Sequence, residues 1–325
     1  MTYLMIAGGL IVLLFGGDIM VRGAVALAQR LDVPPLIIGL TVVAFGTSSP
    51  ELVVSLKSAL SGVPQMALGN VVGSNICNVL LVLGVPALVF PLTCDAGGVR
   101  RDGAIMVGAS LLFVALGLTG AFSFVGGAVM TASLLAYLIW SYRLARAGDN
   151  GADDLLDELQ ELSSPDASLP RTLAAIVGGL IALVVGSWLL VEGAVSIARD
   201  FGVEEEIIGL TILALGTSLP ELATSLVAAI RRHGDVAVGN VIGSNLFNIL
   251  GVLGITAMVK TVPVPDQFVQ FDFWLMLAAA VLLLVFILRG ASIGRFAGIV
   301  LSLFYGFYIW SLFSGVAGMS TQAQL

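Results

Sequence analysis

The sequence predicts an all-α integral membrane protein: ten transmembrane helices in two inverted-topology repeats of five, with the second and seventh helices broken. Three observations lead there. The 325 residues are 58% hydrophobic and 11% charged, with a mean hydropathy of +1.06, whereas a soluble domain carries about 25% charged residues. Ten apolar stretches are each long enough to cross a bilayer, which takes about 20 helical residues. Residues 8–84 align without a gap on 178–254 at a constant offset of 170, and identity at about half of the positions marks a duplication.

The apolar stretches lie near 3–29, 35–60, 65–91, 103–120, 122–146, 172–198, 206–230, 236–259, 272–288 and 292–314. They are too long and too evenly apolar for a membrane barrel, whose strands alternate and run about ten residues. The first lacks a basic leading segment and carries Asp18 and Arg22 late, so it reads as a retained helix, not a cleaved leader.

Five crossings per copy is an odd number, so the second copy enters the membrane the opposite way round. Charge tests this independently, because Lys and Arg concentrate in cytoplasmic loops. Taking alternate connections, Arg22, Arg30, Arg100, Arg101, Arg143, Arg146, Arg171, Arg231, Arg232, Arg289 and Arg295 share one side, and Lys57, Arg199 and Lys260 the other. That places both termini outside a cell (inner) membrane and the central linker in the cytoplasm. The expected domains are a five-helix repeat at 1–147, an acidic linker at 148–169 and a second five-helix repeat at 170–325.

The linker lies within "RAGDNGADDLLDELQELSSPDASLP" (146–170) and supplies much of the formal charge of −7. It reads as solvated chain with room for a short helix at 153–162, and its spacing does not match an EF-hand loop. Cys77 and Cys94 form neither a disulfide framework nor a CxxC pair, and His233 sits in the basic tip "RRHG", read as a solvated loop. Zinc, haem and other cofactors are therefore not expected, and nothing supports nucleic-acid binding. Glu204, Glu205 and Glu206 read as a solvated cap on the seventh stretch, with a cation-concentrating entrance as the alternative. Asp18 and Arg22 read as a local pair or a snorkelling helix end.

The informative residues are the polar strings inside apolar runs. "FGTSSPEL" (45–52) returns as "LGTSLPEL" (215–222). Pro50 and Pro220 cannot donate a helical hydrogen bond, and Ser, Pro and Glu together read as a fresh helix start with Ser as N-cap. The break would free carbonyls around Ala44 to Thr47 and Ala214 to Thr217, backbone tolerated at membrane depth only when buried in protein or lining a watery cavity. Glu51 and Glu221 are ionisable groups near mid-membrane, where insertion scales put the cost at about 2.5 kcal/mol or more, and are functional by default. Thr47 and Ser48, four and three residues before Glu51, share its helical face, as Thr217 and Ser218 share that of Glu221.

"GNVVGSNICN" and "GNVIGSNLFN" follow, with Asn70, Ser74 and Asn78, and Asn240, Ser244 and Asn248, spaced by four into stripes of oxygen-bearing side chains. Taken singly, Asn70 and Asn240 serve packing as readily as ligation. Two carboxylates with hydroxyls, amides and carbonyls make an oxygen-only site, which suits Ca2+ or Na+ and not zinc or copper.

In these paired motifs, GTSSPE with GNVVGSN and GTSLPE with GNVIGSN, the sequence resembles the calcium/cation antiporter superfamily, specifically prokaryotic sodium/calcium exchangers. The resemblance implies a transporter and not an enzyme, with Ca2+ and Na+ (or H+) as transported ions, the lipid bilayer as its surroundings and a monomer sufficient for transport. It further implies an ion cluster built on Glu51 and Glu221, with Thr47, Ser48, Ser74, Thr217, Ser218 and Ser244, completed by Asn78 and Asn248 and by the backbone carbonyls of Ala44 and Ala214. Such exchangers often carry an acid at one of the two positions held here by Asn78 and Asn248.

Exchange of Ca2+ for Na+ is the expected activity, with H+/Ca2+ exchange the nearest alternative. An intramembrane hydrolase lacks a base at a plausible spacing from the serines. A transporter of organic solutes would need an aromatic or basic element to grip its cargo.

Overall fold

A computed structural model describes residues 2–31, 38–93, 98–146, 168–200 and 214–313. The linker core, Cys94 and Glu204 to Glu206 lie outside the described residues. Helices dominate: α1 (Thr2–Leu31), a π-helical turn (Gly39–Val43), α2 (Ala44–Thr47), α3 (Ser49–Leu60), α4 (Pro64–Val89), α5 (Val99–Gly117) and α6 (Phe124–Arg146). After the linker come α7 (Leu169–Asp200), α8 (Ala214–Thr217), α9 (Leu219–Ile230), α10 (Gly234–Val259), α11 (Phe268–Leu288) and α12 (Arg295–Phe313).

Seven of these are long and apolar enough to cross a membrane: α1, α4, α6, α7, α10, α11 and α12. The other expected crossings fail that test for visible reasons. The second and seventh are interrupted at Ser48 and Ser218, as their prolines foretell, and α5 opens on Arg100, Arg101 and Asp102.

Large apolar side chains such as Tyr3, Phe124, Phe296 and Leu303 face outward, as a lipid-facing surface requires. The polar side chains are gathered inside. α4 and α10, which carry the Asn/Ser stripes, are the most enclosed of the seven, with 78% and 89% of their apolar windows buried.

α1 and α7, equivalent in the duplication, pack against each other antiparallel: Gly9 meets Gly186 and Leu190, Gly16 meets Gly179 and Leu183, and Gly23 meets Ile176. In lipid the hydrophobic effect does not hold helices together, so association depends on close van der Waals contact through small residues. A Cβ at Gly9 would fall 2.7 Å from the Leu190 nitrogen, and one at Gly179 would fall 2.7 Å from that of Met20. The copies are also tied at their loops. β1 (Ala121–Phe122) pairs antiparallel with β2 (Val262–Pro263), and Leu92, 170 residues before Val262, bridges to Ile293.

Gly16→Leu or Gly179→Leu is expected to cost about 1–3 kcal/mol through overpacking, read as a lower thermal midpoint in detergent. At Gly8 and Gly178 an added methyl group would meet nothing within 4 Å, so Ala there is expected to be neutral or stabilising by up to about 1 kcal/mol.

Candidate functional site

The site begins with a one-residue break. Ser48 (φ −86°, ψ 6°) ends α2 and begins α3, and Ser218 (φ −87°, ψ 2°) does the same between α8 and α9. Pro50 and Pro220 follow in the first turn with Glu51 and Glu221 beside them. The expected N-cap bonds are not formed: neither serine side chain caps its helix. Ser48 instead donates its hydroxyl proton to Glu221 Oε1 at 3.0 Å.

That contact corrects the expectation that each glutamate shares a face with the hydroxyls of its own motif. The break turns Thr47 and Ser48 toward the carboxylate of the other copy. Thr47, Ser48 and Ser244 lie beside Glu221 and Thr217 beside Glu51, and of these Ser48 forms the hydrogen bond to a carboxylate. The two carboxylates, both fully buried, lie close enough to repel each other.

The freed backbone is also more occupied than expected. The Ala44 carbonyl accepts the Ser48 N–H at 3.0 Å. Pro220 leaves the Gly216 carbonyl without its helical donor, and Ser187 on α7 supplies a hydroxyl to it at 2.6 Å. In the first copy the position of Ser187 is Gly17, which has no hydroxyl to offer Gly46. Each carbonyl keeps a second lone pair. Only the backbone of Ala214 is described.

Buried polar atoms normally find partners, and each failure costs about 1–3 kcal/mol. Among the described residues, both Glu51 carboxylate oxygens, Glu221 Oε2, the hydroxyls of Ser74, Ser218 and Ser244, Asn78 Oδ1 and both amide atoms of Asn248 are buried without a hydrogen-bond partner. Glu51, Glu221, Thr47, Ser48, Thr217 and Ser244 are brought together directly. Ser218 is joined to them through its motif and lies beside the Cys77 thiol. Ser74, Asn78 and Asn248 line the enclosed helices α4 and α10. Asn78 and Phe247 open π-helical turns (Asn78–Val82 and Phe247–Val252), a geometry common at functional sites.

Several contacts lie beyond what spacing in the sequence indicates. Asn78 Nδ2 donates to Asn245 Oδ1 at 3.1 Å, and Asn245 Nδ2 reaches the Asn75 carbonyl at 3.5 Å. Asp18 pairs with Arg22, as expected, and also with Arg231, 213 residues away, at 2.8 Å. Arg101 holds buried Asp102 with two bonds of 2.9 and 3.1 Å, while Asp272, 170 residues later, accepts from Tyr308 at 3.1 Å. His233, expected in solvent, is 8% exposed and lies against the start of α10. No cluster of three or more His, Cys, Asp or Glu residues able to hold a metal occurs among the described residues.

The family model for the sodium/calcium exchanger protein matches residues 1–143 and again 171–314. The chain belongs to the sodium/calcium exchanger family. It is 39% identical over 315 residues to CaxA of Alkalimonas amylolytica, covering 94% of this chain and 97% of that one. It is 31% identical over 344 residues to the sodium/calcium exchanger MaX1 of Methanosarcina acetivorans, covering 96% and 98%. The sodium-calcium exchanger NCX_Mj, in a structure soaked with Na+ and Ca2+, superposes with a TM-score of 0.82 at 31% identity, covering 96% and 98%. This exchanger-family chain is thus a multi-pass membrane protein of a cation-antiporter class, a class of transporters and not of catalysts.

A carboxylate without partners is a burden on the apo fold. Glu51→Met is therefore expected to raise the thermal midpoint in buffer containing only choline as cation, by an amount equivalent to about 1–3 kcal/mol. A lowered midpoint would show that Glu51 is a structural group.

Proposed function

We propose that this chain exchanges Ca2+ for Na+ across the cell membrane by alternating access at a single midplane site. The observation that carries the reading is the pair of fully buried carboxylates, one from each copy, with hydroxyls beside them and no cationic partner among the described residues. Glu51 and Glu221 are the proposed central ligands. Thr47, Ser48, Ser74, Thr217, Ser218, Ser244, Asn78 and Asn248 supply neutral oxygens, and the Ala44 and Ala214 carbonyls flank them. Hard cations of this kind take six to eight oxygen ligands.

Two ionised carboxylates give the ion-free site two negative charges, and carrying them through a low-dielectric barrier is costly. One Ca2+ cancels the pair, and so do two Na+ or two protons. Loaded states therefore interconvert and the unloaded one does not, a difference in conformational cost that couples the two fluxes.

Each copy is proposed to make five crossings, ten in all, inverted about the midplane, with both termini outside and the acidic linker cytoplasmic. The antiparallel contact of α1 with α7 supports the inversion. These two helices, in glycine-lined contact with each other and peripheral to α4 and α10, are the proposed moving unit.

Proton/calcium exchange has one observation in its favour. Asn78 and Asn248 are both amides, so the proposed site has two carboxylates, which two protons neutralise as completely as one Ca2+ does.

In proteoliposomes, 45Ca2+ uptake is expected to follow an imposed Na+ gradient at clamped potential and pH, and Glu51→Gln or Glu221→Gln to reduce it at least about 100-fold, as loss of a central charged ligand demands. Uptake driven by a pH gradient without Na+ would select the proton reading. Sodium-driven flux surviving in both variants would overturn the site.

A further inference from the structure

A hydroxyl binds a metal cation only through its lone pairs, so its own proton has to point elsewhere. The question at this site is what takes the threonine protons. The carboxylates cannot be the sole answer, since a hydroxyl donating to Glu51 or Glu221 turns its proton into the space a cation would share.

Asn70 and Asn240 answer it from outside the proposed ligand set. Asn240 Nδ2 donates to the Glu221 carbonyl at 3.5 Å and to Ser225 Oγ at 3.2 Å. Asn70 Nδ2 donates to the Glu51 carbonyl at 3.2 Å and to Ser55 Oγ at 3.0 Å. A backbone carbonyl only accepts, which fixes each amide with its nitrogen toward its own glutamate and its oxygen toward the other copy. There Asn240 Oδ1 meets Thr47 Oγ1, and Asn70 Oδ1 meets Thr217 Oγ1, both at 3.4 Å. An amide oxygen also only accepts, so the threonine donates. A threonine proton directed to the asparagine oxygen is one that does not point at a bound cation.

The alternative destination for the Thr47 proton is the Ala44 carbonyl, also at 3.4 Å. By competing for that proton, Asn240 keeps a lone pair of Ala44 available.

We propose that Asn70 and Asn240 are positioning residues that fit the site for bare metal cations, each by taking the hydroxyl proton of the other copy's threonine. The proposal rests on the cation-antiport reading above. Ca2+ and Na+ bind a hydroxyl through its lone pairs, which requires its proton to be directed elsewhere.

The test is a double-mutant cycle of Asn240→Leu with Thr47→Val, read by equilibrium 45Ca2+ binding and by Na+ competition. Each single variant is expected to weaken Ca2+ and Na+ binding about tenfold, the scale of one buried hydrogen bond lost. The double variant should be no weaker than Thr47→Val alone within about twofold, since coupled groups are not additive.

Multiplied effects would overturn the proposal and assign Asn240 to packing. If Asn240→Leu does not fold, Asn70→Leu at its less buried position runs the same cycle with Thr217→Val. Wild-type protein that binds neither Ca2+ nor Na+ would overturn the antiport reading itself. Wild-type binding with undiminished binding in the asparagine variants would overturn this inference alone.

Discussion

Two fully buried carboxylates, one from each copy and close enough to repel each other, are the constraint around which the protein is organised. Neither Glu51 nor Glu221 has a cationic partner among the described residues, and desolvating even one unpaired charge is among the most costly acts available to a folded chain. Every nearby feature bears on that problem. The proline-driven break turns the Ser48 hydroxyl across the molecule to Glu221, α4 and α10 hold buried amides and serines, and the remaining carboxylate oxygens stay unpartnered. A purely structural solution would have placed an arginine there, as the chain does at Asp102 with Arg101. The site instead leaves neutralisation to something that comes and goes.

Duplication makes this economical. One motif, used twice and related by the antiparallel contact of α1 with α7, brings two half-sites to one place, and the Ser48 hydroxyl of the first half bonds the carboxylate of the second. The copies are nevertheless unequal. Ser48 reaches Glu221 while the Ser218 hydroxyl stays unpartnered. Ser187 holds the Gly216 carbonyl where Gly17 has no side chain to offer, and Asp18 pairs with Arg231 where their counterparts are Trp188 and Ser61. These differences make the two ends of the molecule energetically distinct.

Much of this is legible in the sequence wherever the signal is chemical and local. Glu51 and Glu221 stand out as ionisable groups in apolar runs, and Pro50 and Pro220 announce the breaks. What is not legible depends on which atom faces which. Spacing speaks only of one helix and so assigns the hydroxyls to their own glutamates, whereas a turn at Ser48 sends them elsewhere. Asn70 and Asn240 read as packing or ligation alike because the orientation of an amide is decided by distant partners. His233 reads as solvated from its basic neighbours, and Asp18 with Arg231 spans too much chain for any local pattern. The π-helical turns at Asn78–Val82 and Phe247–Val252 leave no compositional trace.

The central claim is that the two glutamates form one site and not two, and counting bound ions tests it most directly. Equilibrium dialysis of the purified protein with 45Ca2+ in sodium-free buffer should give one Ca2+ per chain at saturation, and none at that concentration in either Glu51→Gln or Glu221→Gln. Two Ca2+ per chain, with one retained in each single variant, would contradict it.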